Sequence, residues 1–345
     1  MKAPFSSINV FRKAFNKGLH TINDEGGLGT FILACANATG DEILFSKMKS
    51  SLQQQYQELY DIYRDAFTGG RDLPVVDEDL LVFLKLHAIG FDAIRPTEYR
   101  QEEIWKVQFN HLRSFRPRRI TKFIHDGISV PYDEDRFNFN RPYLNKECFW
   151  RGELLGRRID LFYNKYPFAD LHGLLVVDRE ECQLQLLDMA AHQYVFGLAE
   201  ALEQNLTGIG LGYNSYGAYA SVNHLHFQMF IDEEGLPVMD SCWIHNGGER
   251  NYPAECHAFE SAETSWVFIN ELHKMNQPYN LLYVPGRVYV YPRVPQGMIE
   301  VPNWSSGFTW YELSGGMIAF NHDDYEALTS QVIETELRKL VPVAN

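Results

Sequence analysis

The sequence predicts an α+β fold in which an antiparallel sheet with packed helices is duplicated in two degenerate halves and preceded by a helical N-terminal region. Three observations predict this fold. Apolar residues in the first third recur at helical spacing, the middle follows a strand–turn–strand–helix–strand order, and a weaker helix-then-strand unit follows it. A chain of 345 residues suffices for two compact domains or one large duplicated one.

Residues 1 to 110 are predicted to be mainly helical. Residues 41–67 contain no proline and carry apolar residues at helical spacing, and Gly69 and Gly70 follow them as a stop signal. A second helix is predicted over residues 77–86, where acidic side chains occupy the first turn and interact favourably with the helix dipole. This region shows no motif that points to chemistry.

Residues 111–235 are predicted to form the catalytic half. Strands are expected at 159–163 and 174–177, separated by a turn at 164–167. A long amphipathic helix is expected over 181–204, and residues 221–232 alternate like a strand.

Residues 236–345 are predicted to form the degenerate second half. A helix is expected over 264–275 and two strands within 279–292, around the turn at Pro285 and Gly286. A helix-then-strand unit that occurs twice indicates internal duplication, and the second unit lacks a histidine pair. A further helix is expected over 323–340.

The composition argues against several classes of protein. A hydrophobic fraction of 45% supplies enough material for a folded core, and a net charge of -14 disfavours binding to nucleic acid. The apolar stretches are too short to cross a bilayer, and the N-terminus lacks a signal-peptide pattern. Five scattered cysteines without a Cys-x-x-Cys pair suggest neither a zinc knuckle nor a disulfide framework. We therefore expect a cytoplasmic protein without a membrane or nucleic-acid partner.

A cluster of basic residues interrupts this acidic chain between positions 113 and 122. It consists of Arg113, Arg116, Arg118, Arg119 and Lys122. A solvated surface is one interpretation of the cluster, and a phosphate-facing edge of a pocket is the other.

The segment His224-Leu225-His226-Phe227-Gln228 is the strongest chemical signal. In a strand, alternate side chains share a face, so His224, His226 and Gln228 are expected in a row, roughly 6.5–7 Å apart. A neutral imidazole is a competent nucleophile near pH 7, and we predict that His226 attacks a phosphorus atom while a backbone carbonyl holds its other ring nitrogen. Glutamine at position 228 cannot protonate a leaving group, which favours transfer between phosphates.

The glycine-containing segment upstream of these histidines predicts a phosphate-binding loop. Its backbone N–H groups can approach phosphate oxygens closely, and Asn214 and Ser221 can add side-chain donors. The predicted substrate-binding residues are Asn214, Ser215, Gly217, Ser221 and Asn223.

Two other interpretations of the histidine pair stay open from the residues alone. The polar face of an ordinary strand can carry this pattern by coincidence. A His-x-His pair can also chelate a metal, with Asp232, Glu233, His245 or His257 as further ligands, although their spacing matches no metal motif.

The residues from Tyr213 to Gln228 closely resemble the active-site segment of the GDP-sugar phosphorylases, which belong to the histidine-triad (HIT) superfamily. Weaker similarity extends from about residue 111 to about residue 330, through segments at 137–140, 164–177, 278–282 and 310–317. The resemblance implies a HIT-like fold and a covalent nucleotidyl-His226, with His224 and Gln228 as the other catalytic residues. It implies as partners a nucleotide sugar, GDP-hexose above all, and inorganic phosphate. The chain departs from some related uridylyltransferases in lacking the cysteine pair that helps to hold structural zinc, so we predict no metal, and we expect no cofactor.

Two alternatives to this activity remain from the sequence. One is a HIT-type hydrolase or phosphorylase of dinucleoside polyphosphates, and the other is a protein that binds a metal or nucleotide without catalysis. The sequence predicts no oligomeric state.

Overall fold

A computed structural model describes residues 3–72, 76–117 and 127–342 of the chain. The first part contains four helices, two short strands and a short helix: α1 (Ile8–Asp24), α2 (Leu28–Ala38), α3 (Glu42–Thr68), α4 (Asp77–Ile89), β1 (Glu98–Glu102), β2 (Trp105–Phe109) and α5 (His111–Phe115). The two helices predicted here are confirmed. Helix α3 begins after Asp41, whose carboxylate accepts a hydrogen bond from the Leu44 N–H (2.9 Å), and ends before Gly69.

The middle of the chain alternates strands with one long helix. Its elements are β3 (Cys148–Leu154), β4 (Arg157–Tyr163), β5 (Asp170–Val177), α6 (Met189–Glu203), β6 (Ile209–Asn214) and β7 (His226–Ile231). The last part contains β8 (His257–Phe259), α7 (Ala262–Lys274), β9 (Tyr279–Val284), β10 (Arg287–Pro292), α8 (Trp310–Leu313), β11 (Gly316–Ala319), α9 (His322–Ala327) and α10 (Ser330–Arg338).

Eight of the strands form one antiparallel sheet in the order β3-β4-β5-β7-β6-β9-β10-β8. Within it, β5-α6-β6-β7 and β8-α7-β9-β10 have the same connections, because the first strand of each unit pairs with its last. The two units meet where β6 pairs with β9, from Leu211 opposite Tyr283 to Asn214 opposite Asn280. This topology confirms the predicted α+β fold and its duplication.

Four local predictions differ from the structure. Helix α6 begins at Met189 rather than at residue 181, because Asp188 caps it by accepting from the Ala191 N–H. Strand β7 begins only at His226. The last predicted helix is divided into α9 and α10. Strands β1 and β2 lie within the region predicted to be mainly helical, and β2 pairs in parallel with the distant β11.

The large sheet separates two hydrophobic cores. One face packs against α6, α7 and the N-terminal helices, and Phe227 and Met229 of β7 point into that core. The opposite face carries a second cluster, in which the Trp310 and Phe230 rings stack with their centroids 4.8 Å apart. Within the described residues, no helix is both long and apolar enough to cross a membrane. The division of the chain at residues 110 and 235 stays a prediction.

Trp310 can lie on the sheet only because Gly212 has no side chain. A Cβ atom added at Gly212 would fall on the indole ring of Trp310. We therefore expect Gly212→Ala to lower the free energy of unfolding by about 2 kcal/mol or more, measured by urea denaturation. The matched control is Gly197→Ala in α6, where an added Cβ meets no atom within 4 Å and should stabilise the helix by up to about 1 kcal/mol. Equal stabilities of the two variants would contradict this packing.

Candidate active site

His226 is the first residue of β7, and the side chain of Gln185 holds its backbone. The amide oxygen of Gln185 accepts from the His226 N–H (3.0 Å), and its amide nitrogen donates to the carbonyl oxygens of Asn214 (2.9 Å) and His226 (3.3 Å). Gln185 can make these bonds because the chain before α6 is not helical. The late start of α6 therefore contributes to the position of His226.

The imidazole of His226 is held in one tautomer. Its Nδ1 atom lies 2.8 Å from the carbonyl oxygen of His224, and because a carbonyl only accepts, Nδ1 carries the proton. Nε2 therefore carries the lone pair, and it forms no hydrogen bond within the described part of the chain. Burial lowers the pKa of His226 to about 4, and 6% of the residue stays exposed. The ring is thus neutral at pH 7, with an unprotonated Nε2.

His224 lies in the loop before β7, so the predicted row of three side chains on one strand is wrong for this residue. Its Nδ1 accepts a hydrogen bond from the Phe139 N–H (3.3 Å). Burial, followed by the repulsion from His226, lowers the pKa of His224 to about 4. The Phe139 ring covers both imidazoles, with its centroid 5.6 Å from that of His224 and 5.2 Å from that of His226. The carbonyl group of His224 therefore holds the His226 ring. The imidazole of His224 holds the backbone of Phe139, whose ring covers both imidazoles.

Gln228 lies two residues beyond His226 on the same face of β7. Its amide oxygen accepts from the indole N–H of Trp310 and lies equally close to Nε2 of His172, at 3.1 Å in both cases. The His172 Nδ1 accepts from the Phe168 N–H (3.3 Å), which leaves the proton on Nε2. Gln228 is only partly buried, and its NH₂ group forms no hydrogen bond within the described residues. That group is available to a ligand.

Asn214 is the last residue of the neighbouring strand β6, and its amide oxygen is held by two donors, like that of Gln228. Its amide oxygen accepts from the side-chain NH₂ of Asn280 (2.6 Å) and from the backbone N–H of Trp310 (3.0 Å). Its own NH₂ group has no acceptor among the residues that the structure describes. Asn214 and Gln228 thus leave two amide donors beside His226, since β6 and β7 are adjacent.

The other predicted binding residues divide into two groups. Ser215 and Asn223 are committed to the protein: Ser215 is fully buried and accepts from the Tyr279 N–H (3.0 Å), while Asn223 accepts from the Gln185 N–H and donates to two carbonyl groups. Gly217 has a positive φ of 81°, which allows the loop to turn back, and its carbonyl accepts from the Gln296 N–H. Ser221 is exposed, and its hydroxyl is available to a ligand.

The backbone between Ser221 and His224 supplies further donors. The next residue, Leu225, donates its N–H to the Gln183 carbonyl. The four preceding N–H groups, at positions 221 to 224, donate to no atom of the described residues. Successive free N–H groups suit an anion. They follow the glycine-containing segment rather than lie in it, since the N–H groups of Ser215, Ala218, Tyr219 and Ala220 donate to protein oxygens.

Three of the four candidate metal ligands have other partners. Asp232 pairs with Lys106 (2.9 Å), His245 lies 2.9 Å from the Val238 carbonyl and His257 pairs with Glu255 (2.9 Å). Across residues 3–72, 76–117 and 127–342, no three His, Cys, Asp or Glu side chains come together as potential ligands.

Part of the basic cluster is buried. Arg113 donates to the Tyr166 carbonyl (2.5 Å) and lies over the Phe168 ring, and burial lowers its pKa to about 10. It is therefore not part of a solvated surface. Arg118, Arg119 and Lys122 lie outside the described residues.

The sequence did not single out Phe139, Gln185 or Trp310 as site residues, although each contacts one that it did. The signal for Trp310 was indirect. Gly210 and Gly212 alternate along a buried strand, and such a pattern indicates that large rings lie on that face.

Comparisons with known proteins agree with the resemblance in the active-site segment. Residues 105–230 match the family model described as GDPGP1-like, N-terminal domain. Over 135 residues the chain is 29% identical to GDP-D-glucose phosphorylase 1 of Danio rerio, and this alignment covers 39% of this chain and 38% of that protein. Over 269 residues it is 25% identical to GDP-L-galactose phosphorylase 2 of Arabidopsis thaliana, and that alignment covers 65% of this chain and 62% of that protein. The aligned parts thus span less than two thirds of either relative.

A solved structure supports the fold. The chain is similar to the crystal structure of yeast Ap4A phosphorylase Apa2, with a TM-score of 0.50, 14% identity, and coverage of 79% of this chain and 98% of that one. The HIT-like fold and the resemblance to the GDP-sugar phosphorylases are therefore confirmed.

Buried neutral histidines predict a loss of stability in acid. Burial lowers the pKa of His172 to about 3 and those of His192, His224 and His226 to about 4. Unfolded histidine has a pKa of about 6.5, so this stability is complete above pH 6.5 and is lost as the pH falls towards the folded value. Between pH 7 and pH 5, each of these histidines should lower the unfolding free energy by up to about 2 kcal/mol, because it binds a proton in the unfolded state.

The measurement is the change in unfolding free energy between pH 7 and pH 5, by urea denaturation. His192→Gln should reduce this change by one histidine's share, whatever its effect at pH 7. His20→Gln is the control, because His20 is exposed on α1 and meets water in both states. An unaltered pH dependence in His192→Gln would contradict a neutral buried ring.

Proposed function

We propose, on the premise that this chain is related to the GDP-sugar phosphorylases, that it cleaves a GDP-hexose with inorganic phosphate to GDP and hexose 1-phosphate. The proposed reaction passes through a covalent nucleotidyl-His226. The choice of guanine and hexose rests on the names of the relatives, GDP-D-glucose phosphorylase 1 and GDP-L-galactose phosphorylase 2.

The observation that carries the proposal is the orientation of the His226 ring. With Nδ1–H bonded to the His224 carbonyl at 2.8 Å, the lone pair of Nε2 is the reactive one. A lowered pKa keeps that lone pair free of a proton across the neutral range. A buried, neutral and oriented imidazole with an unbonded Nε2 meets the requirements of a nucleophile.

In the first step, Nε2 attacks the α-phosphorus of the GDP-hexose. A P–N bond forms as the bond between the α-phosphorus and the bridging oxygen breaks, and hexose 1-phosphate leaves with that oxygen. The nucleotidyl imidazole is then positively charged, and the hydrogen bond from Nδ1–H to the His224 carbonyl becomes charge-assisted and therefore stronger.

In the second step, an oxygen of inorganic phosphate attacks the same phosphorus. The P–N bond breaks, GDP leaves and the neutral imidazole is restored. Neither step requires a general acid, because hexose 1-phosphate departs as a stable anion. Glutamine at position 228 cannot protonate a leaving group, and this agrees with a reaction that needs no general acid.

Neutral donors supply the proposed phosphate contacts. They are the amide groups of Asn214 and Gln228, the Ser221 hydroxyl and the backbone N–H groups of residues 221–224. Hydrogen bonds from such donors to a phosphate are strong in a site from which water is largely excluded. They offer a physical explanation of how a chain with a net charge of -14 can bind a doubly phosphorylated substrate.

We further propose a cytoplasmic protein with a nucleotide sugar and inorganic phosphate as partners and with no metal or organic cofactor. Its division would be a helical region at 1–110, a catalytic half at 111–235 and a degenerate half at 236–345.

The covalent intermediate is tested by incubation with GDP-glucose labelled at the α-phosphate, without inorganic phosphate. The wild-type chain should retain up to about one label per molecule after denaturation, because no acceptor removes the nucleotide. His226→Ala should retain none. His257→Ala, in β8 of the second half, should be labelled like the wild type.

Two outcomes would redirect the proposal. Label on His226→Ala would exclude this residue as the nucleophile. Labelling by a dinucleoside polyphosphate and not by any GDP-hexose would favour the alternative substrate class.

The acceptor is tested by omitting phosphate from steady-state assays of hexose 1-phosphate release. Turnover should fall to near zero after the first equivalent, because the nucleotidyl enzyme then accumulates. Added phosphate should restore turnover with GDP as the second product. Turnover that continues in plain buffer with GMP as product would identify water as the acceptor.

A further inference from the structure

Trp310 makes two hydrogen bonds to the candidate site with two groups that can only donate. Its backbone N–H reaches the amide oxygen of Asn214 (3.0 Å), and its indole N–H reaches the amide oxygen of Gln228 (3.1 Å). Neither donor can accept a hydrogen bond, so the atom opposite each must be oxygen rather than nitrogen. One residue therefore contributes to the orientation of both amides, together with Asn280 at Asn214 and the Nε2–H of His172 at Gln228.

The consequence concerns what the two amides present to a ligand. Rotation of either amide by a half turn would place its NH₂ group against an N–H of Trp310, with two donors facing each other. With both oxygens bound, each side chain can offer only its NH₂ group, and an NH₂ group is what a phosphate oxygen requires. Trp310 thus helps to turn the NH₂ groups of both side chains towards a ligand.

The surroundings hold Trp310 firmly in place. Its ring stacks on Phe230 and covers Gly212, and the residue is fully buried. Its backbone N–H is free for Asn214 because it lies in the first turn of α8, where Thr309 and Glu312 form a capping box. Asn280 adds a further donor to the oxygen of Asn214, at 2.6 Å.

We propose that Trp310 is a positioning residue, which orients the amides of Asn214 and Gln228 so that both donate to the phosphates of the substrate. This inference rests on the proposed function. It also assigns a role to the degenerate half, since Trp310 and Asn280 belong to it and act on side chains of the catalytic half.

Trp310→Phe separates the two bonds. Phenylalanine keeps the backbone N–H, and with it the bond to Asn214, but lacks the indole N–H, so that only the Nε2–H of His172 still donates to the Gln228 oxygen. We expect the single-turnover rate of His226 nucleotidylation to fall about 10- to 100-fold, the range expected for a misplaced reacting group. Trp243→Phe is the matched control, because Trp243 lies in the same hydrophobic cluster and its indole N–H donates to the Pro237 carbonyl (2.7 Å), away from both amides.

Double-mutant cycles distinguish positioning from packing. If Trp310→Phe acts through Gln228, its effect should largely disappear in a Gln228→Ala background and persist in an Asn214→Ala background. A ring that only fills space would slow the reaction by the same factor in both backgrounds, and that result would overturn the proposal.

A charge substitution tests the orientation itself. Gln228→Glu keeps an oxygen for the indole N–H but turns a second, negatively charged oxygen towards the phosphates. It should therefore be at least as slow as Gln228→Ala, whereas a rate near that of the wild type would show that the oxygen already faces the substrate.

The outcome separates this inference from the proposed function. A wild type that is labelled on His226, together with a Trp310→Phe variant of unchanged rate, would overturn the role of Trp310 alone. A wild type that no nucleotide labels would overturn both.

Discussion

The hydrogen bond from His226 Nδ1 to the carbonyl oxygen of His224 is the interaction on which the candidate site depends. It exists only if the chain leaves the strand geometry just before residue 226, because in a regular strand the side chain and the carbonyl two residues earlier do not meet. The bonds from the His226 N–H to the Gln185 amide oxygen and from the Leu225 N–H to the Gln183 carbonyl stabilise that departure. The segment between β5 and α6 is therefore as much part of the site as β7.

Burial of the imidazole has a larger effect on its surroundings than on its protonation. A histidine with a pKa of 6.5 is already about three-quarters neutral at pH 7, so a pKa of about 4 increases the neutral fraction only by about a third. The same exclusion of water strengthens each hydrogen bond that a neutral donor makes to a phosphate. Desolvation therefore affects the hydrogen bonds that neutral donors can make here more than it affects the protonation of His226.

Local sequence patterns predicted those parts of the molecule that local forces determine. Helix α3 and the hairpin of β9 and β10 follow from periodicity and turn residues, and the strand alternation of His226 and Gln228 was correct. The position of His224 was not, because the bonds that keep the chain out of the strand geometry here involve Gln183 and Gln185, the latter 41 residues away from His226 in sequence. Trp310 lies 82 residues from Gln228 and 96 from Asn214, so no local pattern could have connected them.

The duplicated sheet gives a physical reason why a half without the histidine pair is retained. Pairing of β6 with β9 makes the two halves one continuous sheet, and it places Asn280 directly opposite Asn214. Without the second half, β6 would be an exposed edge and the oxygen of Asn214 would lose both of its donors. The second half thus supplies, through Asn280 and Trp310, both donors to the oxygen of Asn214 and one of the two donors to the oxygen of Gln228.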